Sequence, residues 1–386
     1  MSEHHYTGVG IRRSHRKSRL GCAGCKRRHI KCDETRPQCG NCIRQAVPCN
    51  YPEAARSPPP GESLHTPVAT PEATLAIEWS AVTAELMHHW TTSTCFTFTD
   101  DSTLQTFMQI DAPRIAFVNE HVLHMILAIS ALHLARLKPA QEKLYTDHAN
   151  SHYQAGLRIM IPLLPGLNTE NCHSTFLFAT FCNGYSLARG PQPGDYLLFS
   201  DNDPAECSVL FHGLIPLLQS YSTTLMSGPL APMMGSGVTV ALHASTSLSS
   251  TDNEQLSHLH HLIQSESESE SESTEDSSAI DAAMDHLRRL FSSRYSSDGQ
   301  RCKPTFHHIG IWLWNCSAGF TKLLEHRSPA ALTIVAYACV ILKDFSPIWV
   351  MDGWIPHLLK GVHGSLPPRC HPWIQWPIQQ IGWIPS

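Results

Sequence analysis

The chain has 386 residues, of which 42% are apolar and 16% charged, with nine tryptophans. That is enough apolar material for a buried core and too little charge for a chain disordered throughout, while the length fits one large domain or two unequal ones. The net charge of −5 hides an asymmetry: residues 1–56 hold twelve Lys or Arg against four Asp or Glu, a balance of +8, and the remainder holds 16 against 29, a balance of −13. The longest apolar run, ALTIVAYACVIL at residues 331–342, is too short to span a bilayer, and the first residues lack the apolar centre of an export signal. The fourteen cysteines are therefore expected in a reducing compartment, where closely spaced thiols more often hold metal than form disulfides.

Residues 1–21 read as a basic arm. Arg12, Arg13, Arg16, Lys17, Arg19, Lys26, Arg27, Arg28 and Lys31 fall within twenty residues that contain no acid. Such a run suits phosphate contacts or nuclear import, and on charge alone a solvated basic tail serves equally well.

The cysteines decide between these readings. From Cys22 the spacing is C-x2-C-x6-C-x6-C-x2-C-x6-C, through Cys25, Cys32, Cys39, Cys42 and Cys49, and no other cysteine follows until Cys95. Structural zinc takes four ligands in a tetrahedron, so one ion leaves two thiols idle and two ions need eight ligand places. Six cysteines fill eight places if two of them bridge both metals. The two C-x2-C-x6-C halves form a pseudo-symmetric pair whose leading cysteines, Cys22 and Cys39, are the natural bridges. Six thiolates with two Zn²⁺ sum to a charge of about −2, so nearby cations favour the cluster as well as a polyanion. A segment of about 30 residues buries little core, and its folding is expected to depend on metal.

Residues 22–50, with the stretch CKRRHIKCDETRPQC, resemble the fungal binuclear zinc-cluster DNA-binding domain. The resemblance implies a short basic helix after the second cysteine, whose C-terminal end meets base edges of a CG-containing element in the major groove, and a turn between the halves shaped by Pro37. Carried over, Arg28 and His29 occupy the base-reading positions. His29 departs from the family's usual Lys or Arg and predicts a different contact. Lys26, Arg27 and Lys31, with Arg16, Lys17 and Arg19 of the arm, are expected on phosphates.

Residues 51–74 read as a linker. Prolines at 52, 58, 59, 60, 67 and 71 favour an extended, semi-rigid chain, and the heptad coiled coil that many family members carry here is missing. The cluster is then expected to bind as a monomer or to pair as a homodimer through the C-terminal domain. From about residue 75 helical periodicity predominates. Residues 118–137 carry too wide an apolar stripe for a surface helix and predict a central one. A second helix is expected from 142 to Pro162 and a third over 171–190, closing at Gly190. Further candidates are 205–221, 254–264, 279–293, 304–325, 328–344, 353–362 and 371–381. The fold class expected is thus a small metal-stabilised six-cysteine, two-zinc cluster module followed by a large all-α regulatory domain, residues 75–386.

The segments LMHHWTTSTCFTFTDD, HVLHMILAISALHLARL and ARGPQPGDYLLFS, with the ending WIQWPIQQIGW, resemble the C-terminal regulatory domain of fungal sterol uptake control regulators. That resemblance implies a helical ligand-sensing fold that accepts a sterol or another hydrophobic ligand. The acidic repeat at 265–278, SESESESESTEDSS, cannot bury a core and is expected to be a disordered insertion. Ser265, Ser267 and Ser269 each have Glu three residues on, the pattern of an acid-directed kinase site. His258 and His261 lack the carboxylate of an H-E-x-x-H site and read as surface histidines. The eight thiols from Cys95 to Cys370 have no ligand-like spacing and read as small core residues. Trp373, Trp376 and Trp383 predict a packed closing segment.

These readings converge on a non-enzymatic nuclear protein that binds double-stranded DNA, engages the transcription machinery and regulates RNA polymerase II transcription. Two classes of target are expected: sterol and lipid genes, or a secondary-metabolite gene cluster. An enzyme or scaffold tethered to DNA is the reading from a different class.

Overall fold

The structure is a computed structural model that describes residues 21–51, 80–202, 204–235, 248–267, 274–296, 299–302, 306–316, 318–345 and 348–385. Two compact units are formed, Met1–Glu72 and Ala73–Ser386. The basic arm, with Arg16, Lys17 and Arg19, and nearly all of the proline-rich linker lie outside the described residues.

In the first unit two five-residue helices, α1 (Ala23–Arg27) and α2 (Gly40–Arg44), each follow the leading cysteine of a half. Its interior consists of thiols: Cys22, Cys25, Cys32, Cys39 and Cys42 are buried together, with Val47, Cys49 and Tyr51 against them. Burial of side chains at about 1.5–3 kcal/mol each cannot hold so small a unit, and metal ligation must.

The second unit is helical, and among the described residues its only β features are isolated bridges at Asp195–Ser200 and Tyr295–Arg301. Its first core gathers α3 (Ala81–Thr92), α4 (Ser102–Thr106), α5 (Ala112–Val118), α6 (Glu120–Leu137), α7 (Glu142–Met160), α8 (Cys172–Ala188) and α9 (Glu206–Ser227). As its wide stripe predicts, α6 is buried on every face from His121 to Ala135. By contrast α7 is one-sided, burying Tyr145, Ala149, Tyr153, Gly156 and Met160 at helical spacing. A Cβ on Gly156 would stand 3.1 Å from the Phe178 ring and 3.2 Å from the His121 carbonyl, so glycine here lets α6, α7 and α8 close together.

The second core surrounds α14 (Pro329–Leu342), which is buried along its length from Ala330. Around it are α10 (Ser250–Ser267), α11 (Thr274–Ser292), α12 (Phe306–Asn315), α13 (Ala318–Glu325), α15 (Trp354–Ser365) and α16 (Gln375–Ile381). Trp349 touches both cores: its indole N–H donates to Thr97 Oγ1 at 2.8 Å, and its ring stacks on His133 at 4.8 Å. No described single helix is long and apolar enough to cross a membrane.

Several expectations need correction. The span 304–325 is two helices, α12 and α13, rather than one. The helix expected over 205–221 does break at Tyr221, whose backbone is non-helical, and a further helical piece continues from there to Ser227. Part of the acidic insertion is ordered: α10 reaches Ser267 and α11 starts at Thr274, while residues 268–273, including Ser269, lie outside the described residues. Glu275 and Asp276 sit in the first turn of α11, where negative charge meets the positive end of the helix dipole, and Ile280, Ala283, Met284 and Leu287 bury the face that follows. Among the later thiols Cys302 is exposed and the other seven are buried. His258 and His261 are exposed. In the closing segment Trp376 packs against Tyr337 at 5.1 Å and Phe291 at 6.1 Å.

Candidate metal centre and nucleic-acid interface

The six N-terminal thiols fall into two overlapping groups of four, Cys22–Cys25–Cys32–Cys39 and Cys22–Cys39–Cys42–Cys49, with ligand atoms in each group within 4.8 Å of one another. Cys22 and Cys39 are common to both. Sulfur–sulfur distances include Cys22–Cys39 at 3.7 Å, Cys22–Cys42 at 3.6 Å and Cys25–Cys39 at 3.6 Å. A tetrahedron with Zn–S bonds of about 2.3 Å has edges of about 3.8 Å, so this spacing suits zinc, and it is far too long for S–S bonds of about 2.05 Å. Burial raises the Cys22 thiol, but the Cys25 amide and neighbouring thiols outweigh it and bring Cys22 down to about 6. Burial likewise raises Cys39, yet the Cys42 amide and thiol carry it below the ordinary thiol value. Burial and neighbouring thiols push Cys42 up to about 12 and raise Cys25 as well.

The halves repeat each other at an offset of 17 residues, and the backbone follows. Lys26 N–H donates to Cys22 O as Ile43 N–H does to Cys39 O, and Cys22 N–H donates to Cys32 Sγ as Cys39 N–H does to Cys49 Sγ. Each helix ends in the same way. Ile30 N–H reaches back to Cys25 O and His29 N–H to Lys26 O; Val47 N–H and Ala46 N–H do the same on Cys42 O and Ile43 O. These are Schellman caps, which require a left-handed residue after the C-cap. His29 (φ 56°) and Ala46 (φ 50°) fill that position where glycine is usual.

The cap turns the chain sharply at His29, which is exposed, as are Lys26, Arg27 and Lys31. Lys26, Arg27 and Lys31 form a cationic surface on and just after α1, with His29 among them. Arg28 differs from them. Its Nε donates to Gly24 O at 3.2 Å, its Nη2 to Cys42 Sγ at 3.3 Å and its Nη1 to Gln45 Oε1, so the guanidinium expected at a base edge is turned into the cluster.

Sequence reasoning missed three supporting groups. The Asp33 carboxylate accepts the first amide of α2, Gly40 N–H, at 2.8 Å and Thr35 N–H at 3.3 Å. Asn41 Nδ2 donates to Lys31 O at 2.7 Å, tying α2 to the basic stretch. The Tyr51 hydroxyl donates to Thr35 O at 2.9 Å, beside Cys32 Sγ at 3.6 Å, while its ring lies under the Arg36 guanidinium at 5.0 Å. None of the three belongs to a spaced motif; only the offset of 17, applied beyond the cysteines, would have pointed to Gln45 as the mate of Arg28.

Residues 20–58 match the family described as the fungal Zn(2)-Cys(6) binuclear cluster domain. The N-terminal unit is a fungal binuclear zinc-cluster domain. It takes two zinc ions on its six cysteines. Among curated proteins the chain is similar to the Zn(2)-C6 fungal-type transcription factor afumD of Aspergillus fumigatus, 35% identical over 165 residues, which is 42% of this chain and 44% of that protein. It is also similar to a Zn(2)-C6 fungal-type transcription factor of Gibberella zeae, 23% identical over 95% of this chain and 86% of that protein. Sterol uptake control protein 2 of Candida albicans is 51% identical over 45 residues, 12% of this chain and 6% of that protein. The zinc-cluster domain is thus shared with named transcription factors, while the first of these likenesses spans less than half of the relative's length.

Proposed function

We propose that the protein is a nuclear, sequence-specific regulator of RNA polymerase II transcription whose zinc-cluster domain binds a CG-containing element in double-stranded DNA. One observation carries this reading: two overlapping four-thiol sites, sharing Cys22 and Cys39, hold a helix end whose Lys26, Arg27, His29 and Lys31 are all exposed and cationic or titratable. Cys22 and Cys39, common to both four-thiol groups, would be ligands to both zinc ions. Lys26, Arg27 and Lys31 neutralise phosphates, joined by Arg16, Lys17 and Arg19 of the arm, and His29 meets a base edge from the turn at the end of α1. Arg28, the other residue expected at a base, has its guanidinium engaged within the cluster.

In this reading the helical unit governs when the DNA-bound protein acts on the transcription machinery, through a sterol or another hydrophobic ligand, and the targets are lipid genes. The likeness of the cluster to a sterol uptake control protein supports that choice. A secondary-metabolite gene cluster is the competing target. Genome-wide binding of the tagged full-length protein, beside its His29→Ala, Lys26→Ala variant, separates them. Variant-sensitive occupancy at lipid-biosynthesis promoters supports the first, occupancy confined to one contiguous gene cluster supports the second, and occupancy that the variant leaves untouched contradicts DNA recognition by this surface.

A further inference from the structure

We infer that Arg28 is a latch across the pseudo-twofold axis of the zinc cluster: it fastens one half to a thiolate ligand of the other and so holds the second metal, instead of reading a base. The inference rests on the DNA-binding reading only in what it leaves for His29 to do.

The offset of 17 makes Arg28 and Gln45 equivalent residues, each the C-cap of its helix and each three positions after the second cysteine of its half. They meet, with Arg28 Nη1 donating to Gln45 Oε1. The same guanidinium donates through Nη2 to Cys42 Sγ at 3.3 Å, and Cys42 belongs only to the four-thiol group of the second half. Its Nε is held by Gly24 O at 3.2 Å, which fixes the plane of the fork. All three nitrogens are therefore engaged within the unit. Gly24 provides the space: a Cβ there would stand 3.3 Å from Cys42 Sγ and 3.3 Å from Pro48 O, both of the second half.

The chemistry suits this arrangement. A two-zinc, six-thiolate cluster carries about −2, and a permanently charged donor on a terminal thiolate offsets that charge while aiming the sulfur at its metal. Arginine can hold the carbonyl of Gln45 and the sulfur of Cys42 with one planar group, whereas the ammonium of lysine is a point charge that cannot present the same fork. The cationic side chains within α1 itself, Lys26 and Arg27, are exposed instead.

The test uses the full-length, zinc-loaded protein and its Arg28→Lys, Arg28→Met and Gln45→Leu variants, with zinc release followed by a chromogenic chelator and site preference measured on a selected duplex and its mutated counterpart. A latch predicts that one of the two zincs leaves at least about tenfold faster in Arg28→Met and Gln45→Leu, and that Arg28→Lys does not restore retention. It also predicts an unchanged ratio of selected to mutated site in whichever variants remain loaded. Gln45→Leu is the decisive control, because it leaves the arginine in place. Wild-type zinc retention in Arg28→Met and Gln45→Leu, with a collapsed site ratio in Arg28→Met, would overturn the latch and make Arg28 a base reader. If the wild-type protein proved indifferent to DNA sequence, the proposed function would fail, while the zinc-release comparison would still decide the latch.

Discussion

The two units of this chain keep their folds by different means, and each should respond to a different perturbation. The zinc-cluster domain has an interior of thiols and two five-residue helices too short to persist alone, so metal holds it. The helical unit relies on burial of long apolar faces around α6 and α14. Its probes are separate too, because all nine tryptophans lie in the Ala73–Ser386 unit while the metal-binding thiols lie in the other. Zinc content reports on one unit and tryptophan emission on the other.

The largest effect expected comes from the shared thiols. Cys22→Ser or Cys39→Ser should reduce bound zinc from two ions to nearly none and abolish DNA binding, because each removes a ligand from both four-thiol groups. Metal analysis and gel shift check this. Tryptophan emission and its thermal transition should stay as in the wild type, and a matched loss of both signals would break the contrast between the units.

The reciprocal substitution lies in α14. Leu332 is fully buried there, so Leu332→Ala should cost about 2–5 kcal/mol by removing packed methyl groups and leaving a cavity. Urea denaturation followed by tryptophan emission should register the loss, with zinc still at two ions per chain.

Acid should weaken the helical unit by a mechanism of its own. Burial brings His121, His124, His133 and His152 down to about 4. The folded unit keeps these rings neutral, whereas the unfolded chain takes up protons below about pH 6.5. Their contribution to stability is therefore complete above about pH 6.5 and is lost as the pH falls toward 4. The tryptophan-detected melting temperature should drop by roughly 5 °C or more between pH 7.5 and pH 5, and His124→Phe should flatten that slope. A flat profile in the wild type would show that the buried imidazoles do not set it.

The smallest effect expected is at the helix cap of the cluster. Asp33→Ala removes the acceptor for Gly40 N–H and should cost about 1 kcal/mol, visible as slightly weaker cobalt or zinc binding with site preference unchanged.

What could be read in advance follows the same division. Six thiols at fixed spacing leave few arrangements that fill two tetrahedra, so the metal set was legible from Cys22, Cys25, Cys32, Cys39, Cys42 and Cys49 alone. The direction of Arg28 was not, because an arginine at the end of a basic helix suits a phosphate, a base edge or a thiolate equally well until Gln45 is seen opposite it. Nor was the left-handed turn at His29, since glycine, the usual signal of such a cap, is absent there. In the helical unit α6 was plain from the width of its apolar stripe, and the end of α7 from Pro162. The break between α12 and α13 was not, and the start of α11 inside the acidic repeat was hidden by its polar composition, because the buried face begins only at Ile280.

Two zincs on six thiols, of which Cys22 and Cys39 serve both, are proposed to shape a surface that recognises a particular DNA sequence. That recognition is tested most directly by selection from randomised duplex DNA with the full-length, zinc-loaded protein, in parallel with chelator-treated protein. The loaded protein should enrich a CG-containing element, and none should be enriched after zinc removal. Enrichment that survives the chelator, or no enriched element from protein carrying both zincs, would contradict it.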